Sequence, residues 1–549
     1  MGNQTSSTVE KQKGNKTLNT NLLRHVGGDV LDKYEIIKPI GMGSMGAISK
    51  AKIRSSKIGG SAYKTASDDA LCGCFGFTKR KAIDTATTLP SQRQREEVFY
   101  ALKTIVQSRI SPEFIEELRN EIDILRTLDH PNIAKAYEVF ENRNQIHIVL
   151  ELCSGGDLYK HLPYSEKQAA SISGKIFSAI AYMHTHDVVH RDLKFENIMW
   201  ENKDSEEIKI IDFGLSKKFL PSDKMRTMTE GVGTIYTMAP QVLQGIYTSQ
   251  ADVWSIGVIT FMLLSSSKPF HHKKRRKLID HIMRCDYKFR GKQWDSISDN
   301  AKDFVSKLIV LDPKERLNAK QALQHQWFKD KFSLSDRRPT EETMQEMENN
   351  LVHYRNTSVL KRVALNVIAH KSTPKEIRSM RKAFDQFDST NDGIVTYKEF
   401  KLALKESNFS EQELEKIFDS IDVNSHGYIV YTEFLAATIE AKGAIEEERI
   451  AEAFDRLDTD SSGYISPDNL RQLIGGQYSE EEIETIVEHV DHNKDGKISF
   501  EEFKTIFNVE TKKQAFDMLE NAGSEDTGSE DDNLVGRDAE IPGGGSFET

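Results

Sequence analysis

Residues 190–197 read His-Arg-Asp-Leu-Lys-Phe-Glu-Asn, and residues 212–214 read Asp-Phe-Gly. The first segment supplies a carboxylate at Asp192 and an amide at Asn197. The second segment supplies another carboxylate, Asp212, which is a candidate ligand for Mg²⁺ because this cation prefers oxygen ligands. Either segment alone is also compatible with a charged surface turn, so the interpretation depends on what precedes them.

Two further motifs precede them. Gly41 to Ile48 read Gly-Met-Gly-Ser-Met-Gly-Ala-Ile, and strand-like sequence follows. A dinucleotide-binding fold would need a helix directly after such glycines, so a β-turn-β flap over phosphates is favoured. The run Tyr100-Ala-Leu-Lys103 predicts a strand ending in a lysine that reaches phosphate oxygens, and Glu121 lies in a helical pattern from which it can orient Lys103. Four motifs in this order are typical of one enzyme class.

Residues 34–328 resemble the protein kinase family on these motifs. The resemblance implies a sheet-rich small lobe, a helical large lobe and the transfer of a phosphoryl group from ATP. Asp192 would accept the proton of the substrate hydroxyl with Lys194 beside it, while Asn197 and Asp212 would hold Mg²⁺. Residues implied to surround ATP are Ile40, Gly41, Gly43, Gly46, Ile48, Lys103, Glu121, Glu151, Cys153 and Asp157.

Neighbouring residues indicate the substrate class. Lys194 and Thr234 resemble the Ser/Thr-kinase pattern rather than the Tyr-kinase pattern. Asp157 and Glu196 occupy positions where related kinases hold substrate arginines, so we expect Arg or Lys N-terminal to the target Ser/Thr. The alternative for both acids is a solvated surface position.

Two positions depart from the family pattern. The Ala-Pro-Glu motif reads Ala239-Pro240-Gln241, so an amide replaces the carboxylate that would pair with Arg316. An amide binds a guanidinium more weakly than a carboxylate does. Glu230 stands where many relatives carry a phosphorylated threonine and is placed to pair with Arg191. We therefore expect activity without activation-loop phosphorylation; an unpaired surface glutamate is the alternative.

Four stretches of 12 residues begin at Asp388, Asp422, Asp458 and Asp491, each with Gly at position 6 and an apolar residue at position 8. Calcium takes six to eight hard oxygens, and positions 1, 3, 5, 7, 9 and 12 deliver them around a glycine turn. The sequence thus predicts four EF-hands. Candidate calcium ligands are Asp388, Thr390, Asp392, Ile394 and Glu399; Asp422, Asn424 and Glu433; Asp458, Asp460, Ser462 and Tyr464; and Asp491, Asn493, Asp495, Lys497 and Glu502.

The four loops differ in quality. The fourth satisfies every position, and the first substitutes only a hydroxyl at position 3. The second has His426 at position 5 and Val430 at position 9, which removes an oxygen ligand. The third ends in Asn469, which gives up the bidentate carboxylate. We expect the first and fourth loops to bind calcium, and leave open whether the other two bind weakly or serve structurally.

Residues 333–375 carry an apolar pattern interleaved with basic residues and predict a helical junction. A basic amphipathic helix can dock in a kinase cleft or an EF-hand groove; permanent packing on the kinase is the alternative. Kinase, basic junction and four EF-hands in this order resemble the calcium-dependent protein kinases of plants and protists over residues 34–507. That family implies an autoinhibitory junction that calcium displaces.

Charge is divided along the chain. The net charge of −11 conceals 31 acidic against 14 basic side chains in residues 376–510, and an excess of basic residues before 376. This division argues against a nucleic-acid binder for the chain as a whole, though not for its basic part. The run His271 to Lys277 is basic, but it lies inside the helical lobe and favours a solvated helix start over a nucleic-acid patch. Four cysteines are too few for a disulfide framework.

The ends and one insertion are expected to lack a fixed fold. Residues 1–33 and 511–549 read as disordered arms, and 54–97 as a loop insertion. Met1-Gly2 opens a myristoylation pattern at Gly2, and Lys11, Lys13, Lys16 and Arg24 would add attraction to anionic lipid. For Cys72 and Cys74, free thiols are favoured over palmitoylation. We expect a cytoplasmic monomer, held at a membrane by the acyl chain.

Together these features predict a multidomain protein: an α+β bilobal kinase followed by an all-α domain of four EF-hands (residues 376–510). Its cofactors would be ATP, Mg²⁺ and Ca²⁺, and its partners protein substrates. A calcium-responsive scaffold on an inactive kinase is the rival, and intact Lys103, Asp192, Asn197 and Asp212 argue against it. A calcium-independent kinase with vestigial EF-hands is a third reading, disfavoured by the complete first and fourth loops.

Overall fold

A computed structural model describes the chain over residues 23–42, 46–54, 97–107, 111–218, 234–331, 341–423, 425–442, 445–474 and 478–507. Expectations for Gly2, Gly43, the 54–97 insertion, Glu230, Asn424 and the tail after 507 fall on residues outside these ranges, apart from Arg54 and Glu97. Among the described residues, no helix is long and apolar enough to cross a bilayer.

The small lobe is a six-stranded sheet with one long helix against it. The sheet order is β1-β5-β6-β4-β3-β2, in which β1 runs parallel to β5 and every other pair is antiparallel. Its elements are β1 (Arg24–Val26), α1 (Val30–Lys33), β2 (Tyr34–Met42), β3 (Ala47–Ile53), β4 (Phe99–Val106), α2 (Pro112–Thr127), β5 (Ala136–Glu141) and β6 (Gln145–Glu151).

The start of the chain differs from the prediction of a disordered arm through residue 33. Residues 24–26 add a strand to the sheet, and Asp29 caps α1 by accepting from the Leu31 N–H at 2.9 Å. Leu23 and Val30 are buried. A strand of three residues carries too little periodicity to be recognised from sequence alone.

The large lobe is helical and surrounds two long buried helices. Its elements are β7 (Gly156–Asp157), α3 (Glu166–Thr185), β8 (Val188–Val189), β9 (Ile198–Trp200), β10 (Ile208–Ile210), β11 (Lys217–Lys218), α4 (Pro240–Leu243), α5 (Gln250–Ser265), α6 (Arg275–Met283), α7 (Asp299–Leu308), α8 (Ala319–Leu323) and α9 (Gln326–Lys331). The apolar run 253–264 lies in α5, which is buried on every side because α3 and α7 pack against it. The basic run 271–277 leads into the start of α6, as expected of a solvated helix start.

The junction forms two helices instead of one. α10 (Glu341–Arg355) and α11 (Val359–Lys371) are separated at residues 356–358, where Ser358 caps α11 by accepting from the Lys361 N–H at 3.3 Å. Serine favours this position because its side chain satisfies an N–H that the helix leaves unbonded. α11 is buried on nearly every face, so it lies inside a core and not on a surface.

The EF-hand region consists of four helix–loop–helix units in two lobes. Its elements are α12 (Pro374–Phe387), β12 (Val395–Thr396), α13 (Tyr397–Ala403), α14 (Glu411–Ile421), β13 (Tyr428–Ile429), α15 (Tyr431–Thr438), α16 (Glu447–Leu457), α17 (Pro467–Ile474), α18 (Glu480–Glu488) and α19 (Phe500–Thr505). β12 pairs with β13, and Ile465 pairs with Ile498 through two N–H···O bonds of 2.9 Å. Each lobe therefore joins its two loops back to back.

Candidate functional site

The lysine of β4 and the glutamate of α2 meet between sheet and helix. Lys103 Nζ lies 2.7 and 3.0 Å from the two carboxylate oxygens of Glu121, and both side chains are buried. Burial raises the pKa of Glu121 above its ordinary value, and the opposite charge of Lys103 offsets only part of this rise. Asp212 lies 3.7 Å from the same ammonium. The structure thus brings together three residues that the sequence had placed in three separate motifs.

The backbone of the catalytic loop, residues 190–197, is bonded by a residue outside it. The carboxylate of Asp252, in α5, accepts the backbone N–H groups of His190 at 2.9 Å and Arg191 at 3.0 Å, and it contacts His184 Nε2 at 2.9 Å. These bonds fix Arg191 at φ 74°, a strained value for a residue other than glycine. Asp252 was missed by the sequence reading. The sign available in the sequence was an acidic residue at the start of an otherwise apolar helix.

Asp192 faces the cleft with two close neighbours. Its Oδ2 accepts from Lys194 Nζ at 2.5 Å and from Asn197 Nδ2 at 3.1 Å. Its Oδ1 is buried and has no hydrogen-bond partner among the described residues. A buried acceptor without a partner is costly unless a ligand completes it. Phe213 is buried beside this loop, with its ring 5.2 Å from that of His190.

The flap over the cleft is the hairpin of β2 and β3. Gly46 is required there by close approach, since a Cβ at this position would lie 2.2 Å from the Thr104 carbonyl oxygen. Ile40 is 45% exposed, Ile48 is half-buried, and the space around Gly41 is open.

The segment between the lobes follows β6. Cys153 is buried, and burial raises the pKa of its thiol well above the ordinary value, so this group stays protonated. Ser154 and Gly155 donate N–H bonds to the carbonyls of Glu201 (3.0 Å) and Trp200 (3.1 Å). The carboxylate of Asp157 accepts from the Lys160 N–H at 3.3 Å. Backbone bonds therefore fix the position of this interlobe segment.

Glu196 is bonded within the kinase. Its carboxylate accepts from the Tyr236 hydroxyl at 2.8 Å, and the Lys268 ammonium lies 3.9 Å from the centre of that ring. Arg191 stacks over Tyr247 at 5.2 Å.

The amide of Gln241 faces a buried guanidinium. Arg316 Nη2 lies 3.5 Å from Gln241 Oε1, while its other donors bond the carbonyls of Val310 and Gln250. Burial lowers the pKa of Arg316 to about 10. Gln241 Nε2 is buried with no partner among the described residues. Among the described residues, the Gln241 side chain thus donates no hydrogen bond, and it accepts only a long one from Arg316.

We expect Gln241→Glu to stabilise the kinase. The carboxylate removes an unpaired buried N–H and gives Arg316 a charged acceptor, which is worth about 1 kcal/mol, or about 2–4 °C in the melting temperature. Thermal unfolding followed by tryptophan fluorescence measures the shift. The exposed neighbour provides the control Gln244→Glu, which should leave the melting temperature unchanged. An unchanged or lower melting temperature for Gln241→Glu would contradict this reading.

All four calcium loops share one local geometry. The glycine at position 6 has a φ of 80–84° in each loop, which only glycine adopts without strain. The aspartate at position 1 accepts the N–H groups of positions 5 and 6, as Asp388 does from Asp392 at 3.1 Å and from Gly393 at 2.8 Å. The loops are therefore curled with their first carboxylates inside.

The first loop fits a divalent cation. Asp388 is fully enclosed, and burial followed by the neighbouring charge of Asp392 raises its pKa well above the usual range. Asp392 Oδ1 is buried with no partner among the described residues. Because buried carboxylates repel one another, a cation between them would relieve the cost. Oxygen donors in this arrangement suit calcium.

Position 12 separates the loops as the sequence indicated. Glu399 and Glu502 each accept from N–H groups of their own loop, Glu399 from Thr390 at 2.9 Å and Glu502 from Asn493 at 3.2 Å. Asn469 instead donates its amide N–H to the Thr459 hydroxyl at 2.9 Å. Its N–H group is a donor and not a ligand, so the third loop has one oxygen fewer for a cation.

Both EF-hand lobes enclose the junction. Leu365 and Ala369 of α11 belong to the core of the first lobe, together with Leu351 and Tyr354 of α10. The opposite side of α11 belongs to the core of the second lobe, through Leu360, Val363, Ala364, Val367 and Ile368. Lys361 is buried and pairs with Glu440 at 2.7 Å. In this structure the junction is therefore packed in the EF-hand lobes, while His370 at the end of α11 bonds Lys135 and Ala136 of the kinase.

The first lobe lies against the kinase. Thr432 donates its N–H and hydroxyl to the Asp129 carboxylate at 2.7 and 2.8 Å, and Tyr428 OH lies 3.1 Å from His186 Nε2. Gly393 packs so closely that a Cβ would meet the His130 ring at 2.2 Å. From the chain start, Arg24 donates to the Asp455 and Asp458 carbonyls of the third EF-hand. Arg24 is thus bonded to the EF-hand region in this structure.

Comparison with known proteins identifies a kinase domain in the first part of the chain and EF-hands in the second. The protein kinase domain model matches residues 85–328, and the EF-hand domain pair model matches 377–439 and 447–508. Calcium-dependent protein kinase 3 of Oryza sativa subsp. japonica is 32% identical over 495 residues, covering 88% of this chain and 82% of that protein.

Two relatives from Plasmodium falciparum (isolate 3D7) are also similar. Calcium-dependent protein kinase 5 is 34% identical over 73% of this chain and 72% of its own length. Calcium-dependent protein kinase 4 is 37% identical over 74% and 80% respectively. The resemblance inferred from the motifs is confirmed, as are the kinase and EF-hand fold classes. The chain belongs to the calcium-dependent protein kinase family and is a protein Ser/Thr kinase activated by calcium.

Proposed function

We propose that calcium activates this kinase by drawing the junction, α10 and α11, into the EF-hand lobes and away from the substrate site. The burial of α11 between the two lobe cores is the observation that carries this proposal. In the same structure Lys103 is paired with Glu121, the arrangement that phosphoryl transfer requires. The structure thus combines a junction held by the EF-hand lobes with an assembled Lys103–Glu121 pair, as expected of the active state.

The chemistry follows from the cleft residues. Lys103 would bind the α- and β-phosphates of ATP while Glu121 orients it, and Asn197 and Asp212 would hold Mg²⁺, which neutralises charge on the phosphates. Asp192 would accept the hydroxyl proton at Oδ1, the oxygen that has no hydrogen-bond partner in the described part of the chain. Lys194, on the other oxygen, lies where it would stabilise the transferring phosphoryl group.

Calcium would enter the first and fourth loops with highest affinity. Glu399 and Glu502 supply the bidentate carboxylates there, whereas His426 in the second loop and Asn469 in the third weaken those sites. Capture of the junction then needs only a differential affinity of a few kcal/mol between the two states.

Three further assignments extend the proposal. We infer protein substrates with Arg or Lys near the target Ser/Thr, supported by the acids Asp157 and Glu196. Gly2 would carry a myristoyl group and place a cytoplasmic monomer at a membrane, supported by the sequence pattern alone. Glu230 would replace an activating phosphate.

Truncation tests autoinhibition directly. We expect a chain ending at residue 340 to be active in chelator at saturating ATP, at least about tenfold above the full chain in chelator, because the blocking helices are gone. Phosphate transfer to an Arg-containing Ser peptide measures this. If calcium instead activates only by docking the EF-hands on the kinase, the truncated chain will be as inactive as the full chain in chelator.

A further inference from the structure

A chain of four buried ionic side chains links the first EF-hand to the interlobe segment. Arg381 Nη2 lies 2.9 Å from Glu201 Oε1, Lys209 Nζ lies 4.0 Å from that oxygen, and Lys209 Nζ lies 3.0 Å from Glu151 Oε2. The exposed fraction of each of these side chains is 10% or less. Arg381 belongs to α12, whereas the other three belong to the kinase.

Arg381 brings a second cation to the Glu201 carboxylate. Within the kinase, Lys209 lies 4.0 Å from the Glu201 carboxylate, which also accepts from the Ser205 hydroxyl at 3.1 Å. Glu151 is met by Lys209 at 3.0 Å and by the charge of the buried Lys135. Burial alone would raise the pKa of Glu201, but Arg381 and Lys209 lower it below the ordinary value. A second hydrogen bond holds the guanidinium in place, because Arg381 Nε donates to the Tyr431 hydroxyl of the second EF-hand at 3.0 Å. Arg381, at 2.9 Å, is thus the nearer of the two cations that face Glu201, and it arrives with the EF-hand lobe.

Both acids are attached to the segment that would receive adenine. The Glu201 carbonyl accepts the Ser154 N–H at 3.0 Å, and Glu151 precedes Cys153 by two residues. Glu151 is itself fixed by the Lys135 N–H, which donates to its carboxylate at 3.1 Å. A shift of Glu201 would therefore move Ser154, and a shift of Lys209 would remove one of the two contacts that hold the Glu151 carboxylate.

We propose that Arg381 is a positioning residue for the ATP site: docking of the first EF-hand lobe inserts its guanidinium against Glu201 and fixes the segment Glu151–Ser154. This rests on the proposed function, in which the docked arrangement is the calcium-activated state. Calcium thereby acts on nucleotide binding as well as on the junction. The guanidinium suits this task because its planar fork bonds a carboxylate and a hydroxyl at once.

The test is the ATP dependence of the full chain at saturating calcium. We expect Arg381→Gln to raise the KM for ATP about tenfold, within the range of coupling between contacting ionic residues, while the KM for peptide stays unchanged. Arg378→Gln is the matched control, since Arg378 is exposed on the same helix. Arg381→Lys should restore part of the ATP affinity.

A double-mutant cycle separates positioning from general damage. Glu201→Gln should raise the KM for ATP by a similar factor, and the double variant should be no worse than either single one. Strictly additive effects, or an ATP KM within twofold of the parent for Arg381→Gln, would overturn the proposal. So would loss of calcium stimulation with an unchanged ATP KM, which would make Arg381 a tether only.

Measurements on the parent protein distinguish failure of the inference about Arg381 from failure of the proposed function. If the unmodified chain shows no difference between calcium and chelator, the calcium mechanism itself is wrong. If it is stimulated and Arg381→Gln behaves as the parent does, only the role of Arg381 is wrong. Calcium titration calorimetry on each variant should give the parental stoichiometry, which confirms that the EF-hands remain folded.

Discussion

Replacing Asp192 with Asn should lower kcat by about 10³-fold at saturating calcium, within the range that a positioned general base contributes. Asn keeps the shape of the side chain and its contact with Asn197, so the loop that Asp252 holds should survive. What is lost is the unpartnered oxygen that would accept the substrate proton. Phosphate transfer to an Arg-containing Ser peptide is the measurement.

A matched control lies between α3 and β8, five residues before Asp192. Asp187 is exposed, and its φ of 58° is a value that Asn tolerates well, so Asp187→Asn changes charge nearby without touching the cleft. Its kcat should equal that of the parent. A kcat within tenfold of the parent for Asp192→Asn would show that another group takes the proton. It would also reopen the reading of a calcium-responsive scaffold on an inactive kinase.

Local motifs explain why so much of the site was predictable. Asp192, Asn197 and Asp212 lie in short segments whose residue types are dictated by chemistry, and the structure brings them together with Lys103. The calcium loops are similar, because the glycine turn and the ligand spacing lie within twelve consecutive residues. Such signals need no knowledge of which distant segments meet.

Contacts between distant segments were not predictable in the same way. Arg381 and Glu201 are 180 residues apart in sequence, and their pairing depends on how the first lobe sits on the kinase. One sign was available: Arg381 falls on the apolar face of α12, among Ile377, Met380 and Phe384, where a charged residue requires a buried partner. The break between α10 and α11 was also not predicted, because the apolar pattern of the two helices continues through it.

Replacing both Glu399 and Glu502 with Gln should abolish calcium stimulation, so that activity in calcium falls to the level in chelator. Each change removes the bidentate charge at position 12, which should weaken its loop by about a hundredfold, the span that ligand charge covers among sensor sites. Gln retains the capping bonds that Glu399 makes with Thr396 and Glu502 with Ser499, so α13 and α19 should still form. Kinase activity across a calcium titration measures the result.

The single variants carry more information than the pair. The first loop touches the kinase directly, since Lys320 Nζ lies 2.9 Å from the Asp392 carboxylate and Gly393 packs on His130. Glu399→Gln should therefore lower the maximal activity, whereas Glu502→Gln should shift the calcium requirement and leave the maximum. Glu501→Gln, exposed and one residue away, is the control and should match the parent. Stimulation that persists in the double variant would mean that the second and third loops drive activation, against the ligand sets that their sequences provide.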